Sequence, residues 1–554
     1  MEKLMKNRNK RNIDLLFFIL LSLTSILFLF KCRFGIANID ESFYLTVPLR
    51  IIQGDALFTE EWNLSQTSAV FLVPFVKLYL AIHHSTEGIL LAARYNCIII
   101  QAFVCIFLYE RLKPYSKKAA FLGAYGFFLY IPFSINALSY NSMSIFFLEV
   151  ALILALNHEK RISLILAGVF YGMSVLCIPQ LVILYFIYLG VVIIENKKQK
   201  RLKDYFIATA GVAIVAVCFL AFILSRASFQ NIMAALPAML EDPTHQSKSI
   251  GKLLVSYIVS VYQSNALSPV IFSVYLGLLL VLWIVKSEKV RKTCFTLLCI
   301  WAVISAGYFA LSNRSINYIL YPVNLLVPAV IAMTENKDIH QLFHAIWIPG
   351  MLFGYCLNLA SDQAFYAISS ASSTALPATL AILVLYSEET DVVKIRRLIP
   401  AVIVVQLSLM LGLRTTQVFW EIDIRAQNTL MTEGPEKGLL TTPGKAEKYE
   451  ALLQETAEIR QDPSVDKAVY LTDQTWMYLV NPAQKNASYS AWMADINDLT
   501  FSRLKKYYEL NPDQMPDAVY IPSAQAENLD TVLGIWPYEA EDTADGMILR
   551  REKS

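Results

Sequence analysis

The sequence predicts a polytopic α-helical membrane protein with a small C-terminal α/β domain, and three observations carry that reading. Of 554 residues, 56% are hydrophobic and only 17% charged, with a mean hydropathy of +0.47. That is far too apolar for a soluble chain of this length. Apolar runs of about 18–22 residues recur along the chain, the length a helix needs to cross a bilayer. They stop after Arg414, where the composition turns to Asp, Glu and Lys. The formal charge of +2 gives no reason to expect a nucleic-acid partner.

The N-terminus carries Lys3, Lys6, Arg8, Lys10 and Arg11, so it is expected to remain in the cytoplasm. The first span, 13–31, is long and lacks a small-x-small cleavage site, which reads as an uncleaved signal anchor. Further spans are expected at 89–109, 119–134, 139–156, 162–178, 180–194, 205–224, 266–285, 293–311, 317–334, 341–358, 373–387 and 398–414, about 13 in all. This count places the basic connections at 111–118, 160–161, 197–201, 286–292 and 394–397 in the cytoplasm. The loops near 135–138, 179 and 359–372 carry no Lys or Arg. Residues 68–82 are not counted, because they are short, contain Pro74 and carry Lys77 near the middle. An interfacial helix is expected there. The first external loop then spans 32–88, and loops of that length are usually functional.

Residues 1–414 therefore form the membrane domain and 415–554 an extracytoplasmic domain, long enough for its own core. In the latter, a helix is expected from Thr442, with Pro443 in its first turn, to just before Asp462-Pro463. Short β-type runs follow at 467–472, 517–521 and 547–549, and a second helix near 497–509. All eight cysteines lie in or beside spans, with no CxxC or Cys/His metal spacing. A disulfide framework is not expected. An exported domain without cysteine suits a bacterium.

Two adjacent carboxylates mark the point where the chain first leaves the bilayer, in Asn38-Ile39-Asp40-Glu41-Ser42-Phe43-Tyr44. A charge at the bilayer centre costs roughly 2.5–3.5 kcal/mol, and the headgroup boundary relieves that cost. An acid pair held there is placed to act on a lipid-linked substrate. The string Asp40-Glu41-Ser42-Phe43-Tyr44, followed by Arg50-Ile51-Ile52-Gln53-Gly54-Asp55, is similar to the "DE-x-x-Y…G-D" segment of GT-C glycosyltransferases. The nearest resemblance is to protein O-mannosyltransferases and lipid A aminoarabinose transferases. The signal anchor, long first loop, interfacial helix, dozen or so spans and external C-terminal domain are shared over most of the chain; the motif covers some 40 residues. Where aminoarabinose transferases continue with Phe-Glu-Lys-Pro, this chain has Glu60-Glu61-Trp62-Asn63-Leu64-Ser65-Gln66-Thr67. A different acceptor is implied. Glu60 and Glu61 stand as candidates for an acceptor or second acidic site, with no role carried over.

The resemblance implies a sugar donor on a polyprenyl phosphate (dolichyl or undecaprenyl), a cell-envelope glycan, lipid or protein as acceptor, and inversion at the anomeric carbon. A hydroxyl is a poor nucleophile at neutral pH, so a carboxylate within reach serves as general base. Asp40 is the candidate base, with Glu41 orienting it or binding the acceptor. Asp40 also reads as a plain N-cap of a helix over Glu41–Gln53 closed by Gly54. The departing phosphate needs cationic partners, and Arg94, Arg314 and Arg226, with Lys248 beside His245, are on the expected side. Each of them also reads as a boundary residue snorkelling to headgroups. No metal ligands are assigned, and a divalent-metal requirement stays open. Glu149, an acid inside a span, is expected to bond Ser or Tyr on a neighbouring helix. Tyr140-Asn141-Ser142 marks an external corner. Trp476, Tyr478, Tyr489 and Trp492 read as core before they read as a sugar platform. Two other functions remain open. A transporter or flippase would show internal repeats and paired broken spans, which are not seen. A non-catalytic envelope-assembly protein on the same scaffold is separable only by assay.

Overall fold

The computed structural model describes residues 2–552 apart from 38, 157–159, 195–198, 242–248, 265–268, 313–315, 362–363, 419–422 and 494–495. Its membrane part is helical throughout. Helices α1 (Glu2–Lys31), α2 (Asp40–Gln53), α3 (Val73–His83), α4 (Ile89–Leu112), α5 (Lys117–Phe128) and α6 (Tyr140–Leu156) lead into the bundle. Eight helices among the described residues are long and apolar enough to cross a membrane. They coincide with eight of the expected spans. The other five fall on shorter helices, α5, α6, Arg161–Cys177, Val182–Ile194 and Pro269–Ile284. At 1.5 Å per residue, helices of 12–17 residues reach about 18–26 Å, short of a hydrocarbon core of about 30 Å. Among the described residues, length and composition therefore support eight of the about 13 expected spans and do not confirm the full count. Pro132 and Pro179 open the 3-10 turns that cut two of the runs short, because proline lacks the N–H a continuing helix needs.

Ala367–Glu389 forms the buried centre of the bundle. Its small side chains let neighbouring backbones approach: a Cβ at Gly123 would stand 2.6 Å from the Pro377 carbonyl, and one at Gly350 would stand 2.7 Å from Ala375 N. Charged groups sort to the bundle ends. At one end Asp14 pairs with Lys113 (3.4 Å) and Lys117, Lys118 with Glu388 (3.1 Å), and Thr334 bonds Glu389. At the other end Phe34, just beyond α1, bridges Leu440 of the C-terminal domain. The basic connections and the C-terminal domain thus lie at opposite ends. With the N-terminus in the cytoplasm, a cysteine replacing exposed Lys505 should react with an impermeant maleimide on intact cells, and one replacing exposed Lys394 should not. The reverse pattern of labelling would invert the orientation.

The first loop folds into α2, a 3-10 turn over Gln66–Phe71, and α3. Pro74 sits in the first turn of α3, where its missing N–H costs nothing. At 11 residues α3 is too short to span; it begins at Val73, later than the expected 68. The N-cap of α2 is Ile39, and no side chain caps it. Asp40 is the first helical residue instead of the cap. Gly54 closes the helix in the left-handed conformation at φ 109°, as expected. The stretch 225–265, read from sequence as a loop, holds two helices, Phe229–Leu240 and Ile250–Ser264. Ser228 caps the first of these by accepting from Asn231 N at 3.1 Å.

The C-terminal domain has a two-stranded ribbon, β1 (Thr429–Leu430) with β2 (Leu440–Thr441), and a mixed sheet. The sheet joins β3 (Lys467–Tyr470), β4 (Lys485–Asn486), β5 (Ala518–Pro522), β6 (Glu539–Asp542) and β7 (Gly546–Arg550) in the order β4-β3-β5-β7-β6. β3 runs parallel to β4 and β5, while β7 is antiparallel to β5 and β6. The expected runs became β3, β5 and β7; the expected helices became Pro443–Glu455 with Ala457–Gln461, and Asp498–Leu510. Alternation of side chains divides the sheet into two cores. Val469, Val519 and Leu549 face Phe501, Leu504 and Trp536, together with Trp62 from the first loop. Ala468, Tyr470, Tyr520 and Ile548 share the other core with Tyr449 and Trp476, and that core runs on into Phe43, Val47 and Ile51 of α2. The first loop and the C-terminal domain therefore pack as one unit.

Candidate active site

The acid pair opens α2 at the junction of three bodies: the bundle, the first loop and the C-terminal domain. Consecutive residues point about 100° apart on a helix, so Asp40 and Glu41 face different surroundings. Glu41 is buried and makes a two-pronged ion pair with Arg94 of α4, Nε to Oε1 at 2.5 Å and Nη2 to Oε2 at 2.6 Å. Arg94 also donates to the carbonyls of Cys32 (2.5 Å) and Gly35 (2.8 Å), just past the C-terminus of α1. A guanidinium there satisfies carbonyls that the helix leaves open and complements its dipole. Arg94 thereby ties α1, α2 and α4 together. In this conformation its donors are directed at protein groups.

Asp40 has no hydrogen-bond or ion-pair partner among the described residues. Burial pushes its carboxyl up to about 6, and the neighbouring Glu41 charge adds to the rise. One turn on, Tyr44 stacks edge-on against Tyr140, with ring centroids 6.2 Å apart. Burial raises the Tyr44 phenol well above its ordinary value, and the Asp40 charge raises it further. Two small adjoining clefts, each with room for about 10 Å³, lie beside this turn, both lined by Tyr44, Leu72 and Leu138. Glu41 lines the first, and Gln66 and Ser68 line the second.

Glu60 and Glu61 are both engaged with protein groups. Glu61 is fully buried and pairs with Arg50 (2.9 Å), which also holds Asp55 (2.7 Å) and the Glu60 carbonyl (2.6 Å). Burial raises the Asp55 and Glu61 carboxyls above the usual range, against the pull of Arg50. The Glu60 side chain accepts from Ala56 N (2.5 Å) and from Gln514 of the C-terminal domain (2.6 Å). Gln53 reaches the Pro482 and Gln484 carbonyls (2.8 and 2.9 Å), and Trp62 N donates to the Tyr489 carbonyl (2.8 Å). Residues 53–62 are thus a seam between loop and domain. Sequence carried no signal for it beyond the Arg50 and Asp55 of the motif.

Arg226, an exposed residue, donates through Nη1 to the carbonyls of Ile51 (2.8 Å) and Asp55 (3.3 Å), bracing the C-terminal end of α2. Arg314, Lys248 and His245 lie outside the described residues. Among the described residues both oxygens of buried Glu149 lack a partner, so the expected bond to Ser or Tyr is not found there. Trp476, Tyr478 and Tyr489 are buried in the C-terminal domain and Trp492 is half-buried. Among the described residues no three His, Cys, Asp or Glu side chains cluster as metal ligands would.

No family model and no curated protein sequence matches the chain. The backbone is similar to the crystal structure of ArnT from Cupriavidus metallidurans bound to undecaprenyl phosphate, with a TM-score of 0.44 and 13% identity over 97% of each chain.

Proposed function

We propose that this chain is a GT-C-type membrane glycosyltransferase. In this reading it moves a sugar from a polyprenyl-phosphate donor to a cell-envelope acceptor on the extracytoplasmic face, with inversion. The reading takes 1–414 as the membrane part and 415–554 as the extracytoplasmic part, with the N-terminus inside. The observation that carries it is Asp40: a half-buried carboxylate without a hydrogen-bond or ion-pair partner among the described residues, at the first turn of a helix set against the membrane bundle, beside a Glu41 held by Arg94. Of the four acids weighed from sequence, Glu41, Glu60 and Glu61 are committed to protein contacts. Asp40 alone is available to take a proton.

In the reaction the acceptor oxygen forms a bond to the anomeric carbon as the bond from that carbon to the phosphate oxygen breaks. The electron pair leaves with the polyprenyl phosphate, and the hydroxyl proton passes to Asp40. The leaving phosphate calls for a cationic partner. With Arg94 bonded to Glu41 and to backbone carbonyls, Arg226 and Arg314 remain the candidates.

A raised Asp40 pKa has a definite sign in this mechanism. The base works deprotonated, so transfer should rise with pH through about 6 and level off above it. The test is a pH series with purified protein, a labelled polyprenyl-phosphate sugar and extracted envelope acceptors. A flat profile between pH 5 and 8 would remove Asp40 from the role, and no transfer with any donor would remove the reading.

A further inference from the structure

We propose that Thr475, contributed by the C-terminal domain, is a positioning residue for Asp40. It fixes the first turn of α2 through one hydroxyl that bonds on both sides of the acid. The inference rests on the reading of Asp40 as the base, and its central measurement does not need transfer.

The first turn of α2 has an opening no side chain of its own closes, since Ile39 is the N-cap and offers no capping group. Backbone bonds hold this start, with Glu41 N–H donating to the Ala37 carbonyl at 3.4 Å and Phe43 N–H to the Ile39 carbonyl at 3.2 Å. Thr475 adds a tether from 436 residues away: its Oγ1 donates to the same Ile39 carbonyl at 2.8 Å. The same Oγ1 lies 2.6 Å from Ser42 Oγ. Either hydroxyl can donate in this pair, and Ser42 Oγ also lies 3.5 Å from the Ile39 carbonyl, so the two hydroxyls and that carbonyl form one small network. Asp40 and Glu41 are the only residues between these two anchor points. Thr475 is itself fully buried, with its N–H donating to the Asp473 carbonyl at 3.0 Å, and the next residue, Trp476, stacks on Tyr449 with ring centroids 4.1 Å apart. Phe43 meets Trp492 edge-on at 5.3 Å, a second contact between the same turn and the same domain. The anchor is therefore rigid on the domain side. Its effect is to hold Asp40 in its half-buried setting. The titratable groups facing Asp40 are Glu41 and Tyr44 on its own helix and Tyr140 on α6, with Arg94 of α4 behind Glu41.

The experiment follows the protonation of Asp40 directly. Purified full-length protein is treated with a carbodiimide and an amine nucleophile across a pH series, and modification at Asp40 is quantified by mass spectrometry. Wild type should show a midpoint near 6. In Thr475→Val the turn loosens and admits water, so the midpoint should fall by about one unit toward the ordinary carboxylate range. Thr475→Ser, which keeps the hydroxyl, should restore it. Where transfer is measured, Thr475→Val should lower kcat roughly ten- to a hundredfold with KM little changed, with the acid limb of the pH profile moving as the labelling midpoint does. A wild-type midpoint in Thr475→Val would overturn the proposal, as would a Thr475→Ser midpoint as low as that of Thr475→Val. Should Thr475→Val fail to fold, Ser42→Ala removes one of the two bonds from the helix side, and an unchanged midpoint there overturns the proposal equally. A shifted midpoint in a protein that transfers nothing, wild type included, upholds the positioning role and ends the glycosyltransferase reading.

Discussion

Asp40→Asn is expected to lower transfer by about 10²–10⁴-fold, the contribution of a well-placed general base, while the protein inserts and folds as before. The amide has nearly the shape of the acid and no protein partner to lose, since Asp40 accepts no hydrogen bond among the described residues. It gives up an attraction between a carboxylate and the N-terminal dipole of α2, worth about 0.3–1 kcal/mol. Against this, it removes a charge that burial and Glu41 both disfavour. The two terms are of similar size and opposite sign, so stability should hardly move. The acceptor hydroxyl, however, has nowhere to send its proton. The measurement is a rate with a defined donor and acceptor, alongside a thermal melt of the same preparation. Full transfer by Asp40→Asn would leave no unpaired acid at this turn to act as base, because Glu41 is held by Arg94 and Glu60 and Glu61 by the seam to the C-terminal domain.

The parts of this structure that were legible in the sequence are those set by local periodicity and composition. Each expected span has a helix along most of its described residues because an apolar run in lipid must satisfy its own backbone, and α2 ends at Gly54 because only glycine enters the left-handed region there without strain. β3, β5 and β7 were visible as buried apolar runs. β4, with two residues, and β6, whose Glu539-Ala540-Glu541-Asp542 is wholly exposed, have no apolar signature to find. The helix Phe229–Leu240 was hidden by the polar stretch around it, although Ala235 and Met239 bury against the C-terminal domain. The site was half legible. The acid pair opens α2 as one local turn, but the partners that distinguish Glu41 from Asp40 come from elsewhere in the chain. Arg94 lies 53 positions from Glu41 and Thr475 lies 433 from Ser42. Nothing local could have told Asp40 from Glu41, or Glu60 and Glu61 from catalytic acids.

Arg94→Met should therefore act on stability before it acts on chemistry. Removing one member of a buried ion pair leaves the other charged and unpaired, at a cost of about 3–5 kcal/mol. Here the stranded group would be Glu41, whose side chain is only 2% exposed. The carbonyls of Cys32 and Gly35 would lose their donor at the same time. Glu41→Gln alone should also destabilise, since a buried guanidinium would then face only carbonyls and an amide. Combined, the two substitutions should cost less than their sum, because neither charge is left behind. Unfolding midpoints of the purified protein in one detergent measure this cycle. A phosphate ligand would behave otherwise. Arg94→Met would then leave the unfolding midpoint unchanged and raise KM for the lipid-linked donor, with Glu41→Gln independent of it. Additivity with unchanged stability would return Arg94 to the phosphate and leave Glu41 free to serve the reaction.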